Sequence, residues 1–276
     1  MKYILVTGGN RGLGLEIVKG LAAPDTHIIV ACRDVMQGKE AIRSLKGSFD
    51  VVALDLCSLS SIDSLVNDLN NRYPCIDILV NNAGIFENSG AKISAMNHVF
   101  SKVWMTNTFG PHQLTKKLAP LLDKATKPKC IFICSLAGHH KHLDISTIDG
   151  HLPKLVYGQS KYADLLLTAL FAEEHPTWQV LAAHPGYSNT EIFAGRIAGK
   201  TKQWIRLATN LIVQSPEKGA QSAILAIRET FASGSYLGPK YLKELYGPPC
   251  LRNIKDYFFP EDLETFRLYL NSLSYN

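Results

Sequence analysis

The sequence lacks the marks of several protein classes. Its six cysteines form no CxxC pair, which favours reduced, buried thiols over a disulfide framework. No uninterrupted apolar stretch approaches the roughly 20 residues that a membrane-spanning helix needs. The first apolar run begins at Tyr3 and leads straight into a glycine-rich loop, so no signal peptide is expected before it. These absences predict a cytoplasmic protein with no membrane span.

The charge distribution argues against a nucleic-acid partner. The 29 Lys and Arg residues exceed the 24 Asp and Glu residues to give a net charge of +5, and they are dispersed along the chain. The densest group is Lys124, Lys127 and Lys129, which Pro128 interrupts. Nucleic-acid binding would require a basic stripe or a known binding module. Neither is present, so we expect the partner to be a small molecule.

Short apolar runs alternate with longer amphipathic runs. The apolar runs lie at 3–6, 27–32, 51–54, 76–80, 129–134 and 180–183. The amphipathic runs lie at 13–21, 60–72, 112–123 and 157–174, with a further helical stretch at 261–273. Such alternation predicts an α/β fold of the Rossmann type, a doubly wound parallel sheet with helices on both faces. No break in composition divides the chain, so we predict a single domain over 1–276.

A glycine-rich turn joins the first apolar run to the first amphipathic run. Its residues are Thr7, Gly8, Gly9, Asn10, Arg11, Gly12, Leu13 and Gly14. Glycines let the backbone approach a diphosphate, and the N–H groups at the start of the following helix attract it. We therefore predict dinucleotide contacts from this turn, Gly9 excepted, although a purely structural tight turn is the alternative. No Gly-Lys-Ser/Thr ending follows, which argues against a P-loop nucleotide hydrolase.

The end of the second apolar run indicates which dinucleotide binds. An acidic residue at this point would hydrogen-bond the adenosine ribose and repel a 2′-phosphate. Cys32 holds that place and Arg33 follows it, while Arg11 in the glycine turn can approach the same phosphate. Arginine pairs well with phosphate oxygens, so we predict NADP(H) in preference to NAD(H). Asp34 leaves NAD(H) open, because a small shift in register would place its carboxylate near the ribose.

Polar and small residues also follow the third and fourth apolar runs. Asp55 and Leu56 follow the third run, and Asn82, Ala83 and Gly84 follow the fourth. Asp55 is placed to accept a hydrogen bond from the adenine amino group, and Leu56 beside it is a further predicted cofactor contact. The segment Asn81-Asn82-Ala83-Gly84 could line the adenosine side and tie neighbouring strands together. The alternative is ordinary turn chemistry, since Asp, Asn and Gly are common in turns.

Four further residues suggest proton-transfer chemistry. Tyr157 and Lys161 are four residues apart in a helical run, so they share one helix face. A nearby ammonium stabilises a phenolate and so suits tyrosine for proton transfer near neutral pH. Ser135 follows the fifth apolar run, where its hydroxyl can orient a substrate oxygen. Asn107 lies in a helical stretch after the fourth run, where its amide can hold a backbone or water link to Lys161.

These motifs together resemble the classical short-chain dehydrogenase/reductase family. The resemblance extends from residue 1 to about residue 190 and includes the glycine turn, the Asn-Asn-Ala-Gly segment, the YxxxK pair and Pro185-Gly186. Within the family the chain is similar to the retinol-dehydrogenase-type branch. The segments that carry this similarity lie at 31–34, 137–140, 184–186 and 234–239.

The resemblance implies a role for each of these residues. Tyr157 would be the catalytic acid/base, and Lys161 would bind the nicotinamide ribose and lower the pKa of the tyrosine. Ser135 would position the substrate oxygen, and Asn107 would complete a proton relay. On the nicotinamide side, the contacts would come from Pro185, Gly186 and Thr190. The reaction would be hydride transfer between NADP(H) and a carbonyl/alcohol substrate, with a lipophilic aldehyde, ketone or retinoid-like compound expected.

The resemblance also divides the domain and indicates where the chain departs from its relatives. Residues 1–150 would be mainly the cofactor half, 151–240 the catalytic helix and substrate lid, and 241–276 a C-terminal extension. The lid would lie at 187–210. The gap between Ser135 and Tyr157 is longer than in the commonest members, and the membrane-anchoring N-terminus of many retinol dehydrogenases is missing, which puts a lipid-embedded substrate in doubt. The resemblance allows a homo-oligomer, paired through the helices that contain Asn107 and Tyr157.

Two alternatives remain open from the sequence. A dinucleotide-binding regulator without turnover would keep the same fold, although Asn107, Ser135, Tyr157 and Lys161 argue against it. The cluster of His139, His140, His142 and Asp144 invites a metal-site interpretation. Zinc sites draw their ligands from more than one element, and the family chemistry needs no metal. We therefore expect no metal and a loop at the edge of the pocket.

Overall fold

The fold is built on one large β-sheet. The structure is a computed structural model, and it describes residues 1–87, 89–139, 141–187 and 215–273. Its strands are β1 (Lys2–Thr7), β2 (Thr26–Cys32), β3 (Ser48–Ala53), β4 (Ile78–Asn81), β5 (Lys92–Ala95), β6 (His98–Ser101), β7 (Lys129–Ile133), β8 (Gln179–Ala183), β9 (Ser235–Tyr241) and β10 (Tyr246–Asn253). Eight of them form the main sheet in the order β10-β9-β8-β7-β4-β1-β2-β3, and β5 and β6 form a separate antiparallel pair.

Helices cover both faces of this sheet. They are α1 (Gly12–Leu21), α2 (Val35–Ile42), α3 (Leu59–Arg72), the short α4 (Lys102–Trp104), α5 (Gly110–Leu122), α6 (Pro153–Glu174), α7 (Pro216–Arg228) and α8 (Pro260–Ser272), numbered over the described residues. A π-helical turn, Met105–Phe109, joins α4 to α5. Several helices begin with a side-chain cap or a proline. At the start of α7, Ser215 accepts a hydrogen bond from the Lys218 amide, and Pro216 is the first residue of the helix. None of the described helices combines the length and the apolar composition that a bilayer crossing requires.

The central strands β1, β2, β4, β7 and β8 are mainly apolar because helices pack against both faces of the sheet. Along β1, Ile4 and Val6 belong to the core formed with α1 and α7, whereas Leu5 belongs to the larger core formed with α3, α5, α6 and α8. In β4, Leu79 and Val80 divide between the two cores in the same way. A strand buried on both faces needs apolar residues at successive positions. The prediction of a doubly wound parallel sheet from the uninterrupted apolar runs is confirmed.

The sheet places the ends of its strands at a common edge. The register pairs Val6 of β1 with Val30 of β2 and with Val80 of β4. The chain moves outward from β1 to β2 and β3, then returns to the other side of β1 as β4. Ligands of open α/β sheets bind at such a reversal, outside the carboxyl ends of the strands.

The strand β10 departs from the all-parallel prediction. It runs antiparallel to β9 and forms the edge of the sheet. The chain between them turns tightly, with Leu242, Lys243 and Glu244 in left-handed backbone conformations. A parallel partner would need a crossover of a dozen or more residues, and this turn is too short for one. The elements α2, α7, β5, β6 and β9 are also additions to the predicted pattern.

The C-terminal helix α8 covers part of α6. The Tyr162 hydroxyl donates to Asp262 Oδ2 at 2.7 Å, and Arg267 pairs with Glu173 at 2.5 Å. Phe266 is fully buried in the same contact. The described part of the extension, 241–273, therefore packs on the body of the domain. It occupies one side of the helix that the resemblance assigns to pairing between copies.

Candidate active site

A cavity of about 790 Å³ opens along the carboxyl edge of the sheet. Its lining comes from the ends of β1, β2, β3, β4 and β7, from the first part of α6 and from the segment after β8. The lining residues include Gly8, Asn10, Arg11, Gly12, Leu13, Gly14, Arg33, Asp55, Leu56, Asn82, Ala83, Gly84, Ser135, Tyr157, Lys161, Pro185 and Gly186. The cavity thus brings together residues predicted from seven separate stretches of the chain.

The glycine turn is shaped for close approach. A Cβ at Gly14 would lie 2.2 Å from the Gly8 carbonyl oxygen and 2.5 Å from Asn82 Nδ2, so only glycine fits there. Gly12 has a left-handed backbone, φ +53°, and a Cβ at this position would meet only open space. The turn therefore presents bare backbone to the cavity at the start of α1. This arrangement fits a diphosphate.

Thr7 occupies a different position from the rest of the predicted cofactor residues. It is completely buried and lies outside the lining of the cavity. Its hydroxyl accepts hydrogen bonds from the amides of Asn82 and Ala83, each at 3.0 Å, and donates to the Val80 carbonyl. Thr7 therefore supports the turn from beneath by tying β1 to the segment that follows β4.

The end of the cavity that the sequence assigns to the adenosine carries two arginines and the carboxylate of Asp34. Arg11 and Arg33 are exposed and line the cavity. Asp34 Oδ1 accepts from the Gln37 amide at 2.9 Å and so caps the start of α2. The Cys32 thiol donates to the Asp34 carbonyl at 3.1 Å, which fixes the backbone at the end of β2.

Asp55 is held in the turn after β3. Its amide donates to Ser61 Oγ, and its Oδ1 accepts from the Cys57 amide, both at 2.9 Å. Asp55 and Leu56 both line the cavity, as the sequence predicts. The carboxylate is therefore fixed at the wall where an adenine ring would lie.

The catalytic candidates meet at the other end of the cavity. Tyr157 is 7% exposed and lines the cavity, with its ring edge-on to Phe86 at 5.1 Å between centroids. Ser135 begins a single 3-10 turn, and its Oγ accepts from the Ala137 amide at 3.3 Å. Tyr157 lies in the second turn of α6, which begins four residues earlier than the sequence pattern indicates because Pro153 starts the helix.

Asn107 lies in the π-helical turn, where its amide is fully engaged. Its Oδ1 accepts from the Ile85 amide at 2.8 Å, and its Nδ2 donates to the Ile85 carbonyl and to Ser160 Oγ, both at 3.0 Å. A Cβ at Gly84 would lie 3.5 Å from both Asn107 Oδ1 and Lys161 Nζ. Asn107 and Lys161 thus approach the same point, and Ser160 connects Asn107 to the helix that carries Lys161.

Lys161 is buried in contact with a second charged residue of α6. Its Nζ donates to the Ile133 carbonyl at 2.9 Å and to Asp164 Oδ2 at 2.8 Å. Burial alone would lower the pKa of Lys161, but the carboxylate of Asp164 and the phenol of Tyr157 outweigh it and raise this pKa. The sequence motifs do not point to Asp164. The available signal is its position three residues after Lys161, on the same helix face.

Some predicted residues lie outside the described part of the chain. These are Thr190, His140 and nearly all of the predicted lid at 187–210. The described histidines of the proposed metal cluster have protein partners. His139 Nε2 lies 3.0 Å from the Tyr236 hydroxyl, and His142 stacks on Phe259 at 3.8 Å. Within the described ranges, no group of three or more His, Cys, Asp or Glu side chains is placed to hold a metal ion.

Comparisons with known proteins agree with this geometry. A family model described as short chain dehydrogenase matches residues 2–200. The human protein dehydrogenase/reductase SDR family member 13 (Homo sapiens) is 29% identical over 265 residues, which are 90% of this chain and 68% of the relative. Retinol dehydrogenase 13 of Homo sapiens is 32% identical over 254 residues, 85% of this chain and 75% of the relative.

Solved structures show the same fold. The crystal structure of an uncharacterized protein from Mycobacterium paratuberculosis matches with a TM-score of 0.76 and 26% identity, over 99% of this chain and 92% of that chain. The family model covers the glycine turn, the strand ends and the helix that carries Tyr157 and Lys161. The chain belongs to the short-chain dehydrogenase family of oxidoreductases, whose members bind a nicotinamide cofactor, and retinol dehydrogenases are among its relatives.

Proposed function

We propose that this protein is an NADP(H)-dependent oxidoreductase that transfers a hydride between the nicotinamide and a carbonyl/alcohol substrate. The observation that carries the proposal is the composition of one continuous cavity. Tyr157, Lys161 and Ser135 line one end of it, and the glycine turn with Arg11 and Arg33 lines the other. Proton-transfer chemistry and a dinucleotide cradle therefore share a single space.

The preference for NADP(H) rests on the adenosine end. A 2′-phosphate bound there would meet two guanidinium groups, which pair well with phosphate oxygens. The carboxylate that would favour NAD(H) is that of Asp34, and it already caps α2 through the Gln37 amide. Asp34 also lines the cavity, but its single negative charge is outnumbered by the two guanidinium groups, so the balance of charge favours the phosphorylated cofactor.

Each residue at the catalytic end has a separate role in carbonyl reduction. When bound, the nicotinamide supplies the hydride. Tyr157 gives its phenolic proton to the substrate oxygen, and in the reverse reaction it takes this proton back. Ser135 Oγ accepts from the Ala137 amide, which leaves its own hydrogen to donate to the substrate oxygen. That hydrogen bond counts most as negative charge develops on the oxygen. Lys161 holds positive charge beside the phenol.

The substrate that we propose is lipophilic. Ile85 and Phe86 line the cavity next to Tyr157 and offer apolar surface to a bound molecule. One relative is named for retinol, an apolar alcohol. The segment that the resemblance assigns to a lid contains Ile192, Phe193, Ile197 and Trp204, an apolar composition that suits a lipophilic substrate. An aldehyde, ketone or retinoid-like alcohol suits these surroundings.

The six cysteines support the proposed cytoplasmic location. All of them are unpaired thiols. Unpaired cysteines are typical of a reducing compartment, where NADPH is also abundant.

A screen of substrates with measured cofactor binding tests the proposal. Purified protein is mixed with NADPH or NADH and a panel of aldehydes, ketones, quinones and retinal, and the loss of reduced cofactor is followed. We expect turnover with NADPH, and faster turnover with the more apolar carbonyls. Tight NADPH binding without turnover across the panel would favour the alternative, a regulator that binds the cofactor. Absence of NADPH binding would refute both interpretations.

A further inference from the structure

A third ionisable side chain lies on the face of α6 that carries Tyr157 and Lys161. Asp164 follows Tyr157 by seven residues and Lys161 by three, so the three side chains form one stripe along the helix. Its Oδ2 lies 2.8 Å from Lys161 Nζ. The side chain of Asp164 is 3% exposed and that of Lys161 is 7% exposed. The ion pair is therefore shielded from water.

The surroundings of Asp164 give its carboxylate very few partners. Within the described residues, Oδ1 is buried without a hydrogen bond. The ionisable groups around the pair are Tyr157 on the same helix and Cys134 just beyond β7. Burial raises the pKa of Asp164 above the ordinary value of an aspartate, and Lys161 opposes this rise because it favours the ionised carboxylate. An ionised carboxylate in such a place depends on its cationic neighbour.

The pair also fixes where the ammonium of Lys161 lies. An ammonium has three N–H donors. Two of them are engaged by the Ile133 carbonyl and by Asp164 Oδ2, while the side chain also lines the cavity. One donor is left for the cavity, which Tyr157 also lines. Without a counter-charge, burial would favour the neutral amine, which lacks the positive charge that a phenolate needs.

We propose that Asp164 is a positioning residue, whose carboxylate keeps Lys161 charged and holds its Nζ between the end of β7 and the catalytic tyrosine. Asp164 itself touches neither substrate nor cofactor in this role. The inference rests on the proposed function, because a held charge at Lys161 matters for catalysis only if Tyr157 transfers a proton. Its first test does not depend on turnover.

That test is a titration of Lys161 by NMR in protein with isotope-labelled lysine. The Lys161 signal is assigned by its loss in Lys161→Arg. We expect Lys161 in the wild type to remain charged up to or beyond the ordinary lysine pKa of about 10.4. In Asp164→Asn, which keeps an acceptor but removes the charge, we expect the titration to move down by about one pH unit or more.

A matched variant separates the pairing from a general effect on folding. Asp262→Asn removes another buried carboxylate, which lies on α8 and accepts a hydrogen bond from the Tyr162 hydroxyl of α6. It should lower stability and leave the Lys161 titration unchanged. Identical titration curves for Asp164→Asn and wild type would overturn the proposal. If Asp164→Asn does not fold, the titration of the wild type is by itself a test. A Lys161 that loses its proton well below pH 10 in the wild type would also overturn the proposal.

The second test is the pH profile of turnover. We expect kcat to fall at high pH when Lys161 loses its charge. In Asp164→Asn, the pH at which kcat falls should therefore move down by the same amount as the pKa of Lys161 measured by NMR. A merely structural role would reduce the amount of active enzyme and leave the limit in place. If the NMR titration shifts but the wild type turns over no carbonyl, the proposed function fails and the pairing stands.

Discussion

Thr7 and Asn82 hold together the two strands between which the cofactor cradle opens. The Asn82 side-chain amide donates to the Thr7 carbonyl at 2.8 Å, and its backbone amide donates to the Thr7 hydroxyl at 3.0 Å. The two residues are 75 positions apart in the chain, and the pairing of β1 with β4 brings them together. The position of the glycine turn is thus set by a threonine that does not face the cavity.

Replacing Thr7 with valine should destabilise the fold and weaken cofactor binding together. Valine keeps the shape of the side chain but leaves the Asn82 and Ala83 amides without their shared acceptor. We expect the free energy of unfolding to fall by about 1–3 kcal/mol, as for other buried donors left unpaired. Urea unfolding measures this loss. Thr265→Val on the exposed side of α8 is the control, and an equal effect of the two substitutions would contradict the assigned role of Thr7.

Arg33 should determine which cofactor the protein prefers. If a 2′-phosphate binds beside Arg33, Arg33→Ala removes a charge-assisted contact worth about 1.5–3 kcal/mol. The preference for NADPH over NADH in kcat/KM should then fall by about 10- to 100-fold. NADH turnover should change little, because NADH has no phosphate at this position. Arg43→Ala removes the same positive charge at the far end of α2 and is the control for Arg33→Ala. An unchanged preference in Arg33→Ala would remove the basis for NADP(H).

His112 should make the protein sensitive to acid. Burial, and to a smaller extent Lys116, lower the pKa of His112 from 6.5 to about 3. Between these two values the unfolded chain binds a proton that the folded chain does not, so stability falls as the pH falls. The His112→Gln variant should lose this part of the dependence, at most about 1.4 kcal/mol per pH unit. Stability curves at pH 4 to 7 test the difference. The exposed His151 is the control position, and parallel curves for wild type and His112→Gln would count against the prediction.

The sequence predicts most of the sheet because the central strands are buried on both faces. Such strands appear as uninterrupted apolar runs, as in Ile28–Val30 of β2. By contrast, β3 begins at Ser48, and Asp50 within it binds His27 and Arg72 near the edge of the sheet. A polar edge strand has no such pattern. The first residues of β3 therefore do not stand out in the sequence.

The sequence predicts which residues lie at the catalytic end of the cavity, but it does not predict which residues hold them in place. Tyr157 and Lys161 are predictable from helical spacing, and Ser135 from its place after a strand. Asp164 has the ordinary appearance of an acidic residue on a helix surface. Its burial follows from the packing of α6 against the sheet, which spacing along the chain does not reveal. The supporting role of Thr7 likewise depends on a contact between residues 75 positions apart.

The most direct test of the central claim is the effect of Tyr157→Phe on carbonyl reduction at saturating NADPH. The variant removes one hydroxyl, and Tyr241→Phe, at an exposed position of β9, removes the same group far from the cavity. We predict a fall in kcat of at least 100-fold for Tyr157→Phe, in the range typical of a lost general acid, with NADPH binding retained. Tyr241→Phe should behave as wild type. Equal turnover in all three proteins would contradict the account of Tyr157 as the group that transfers the proton.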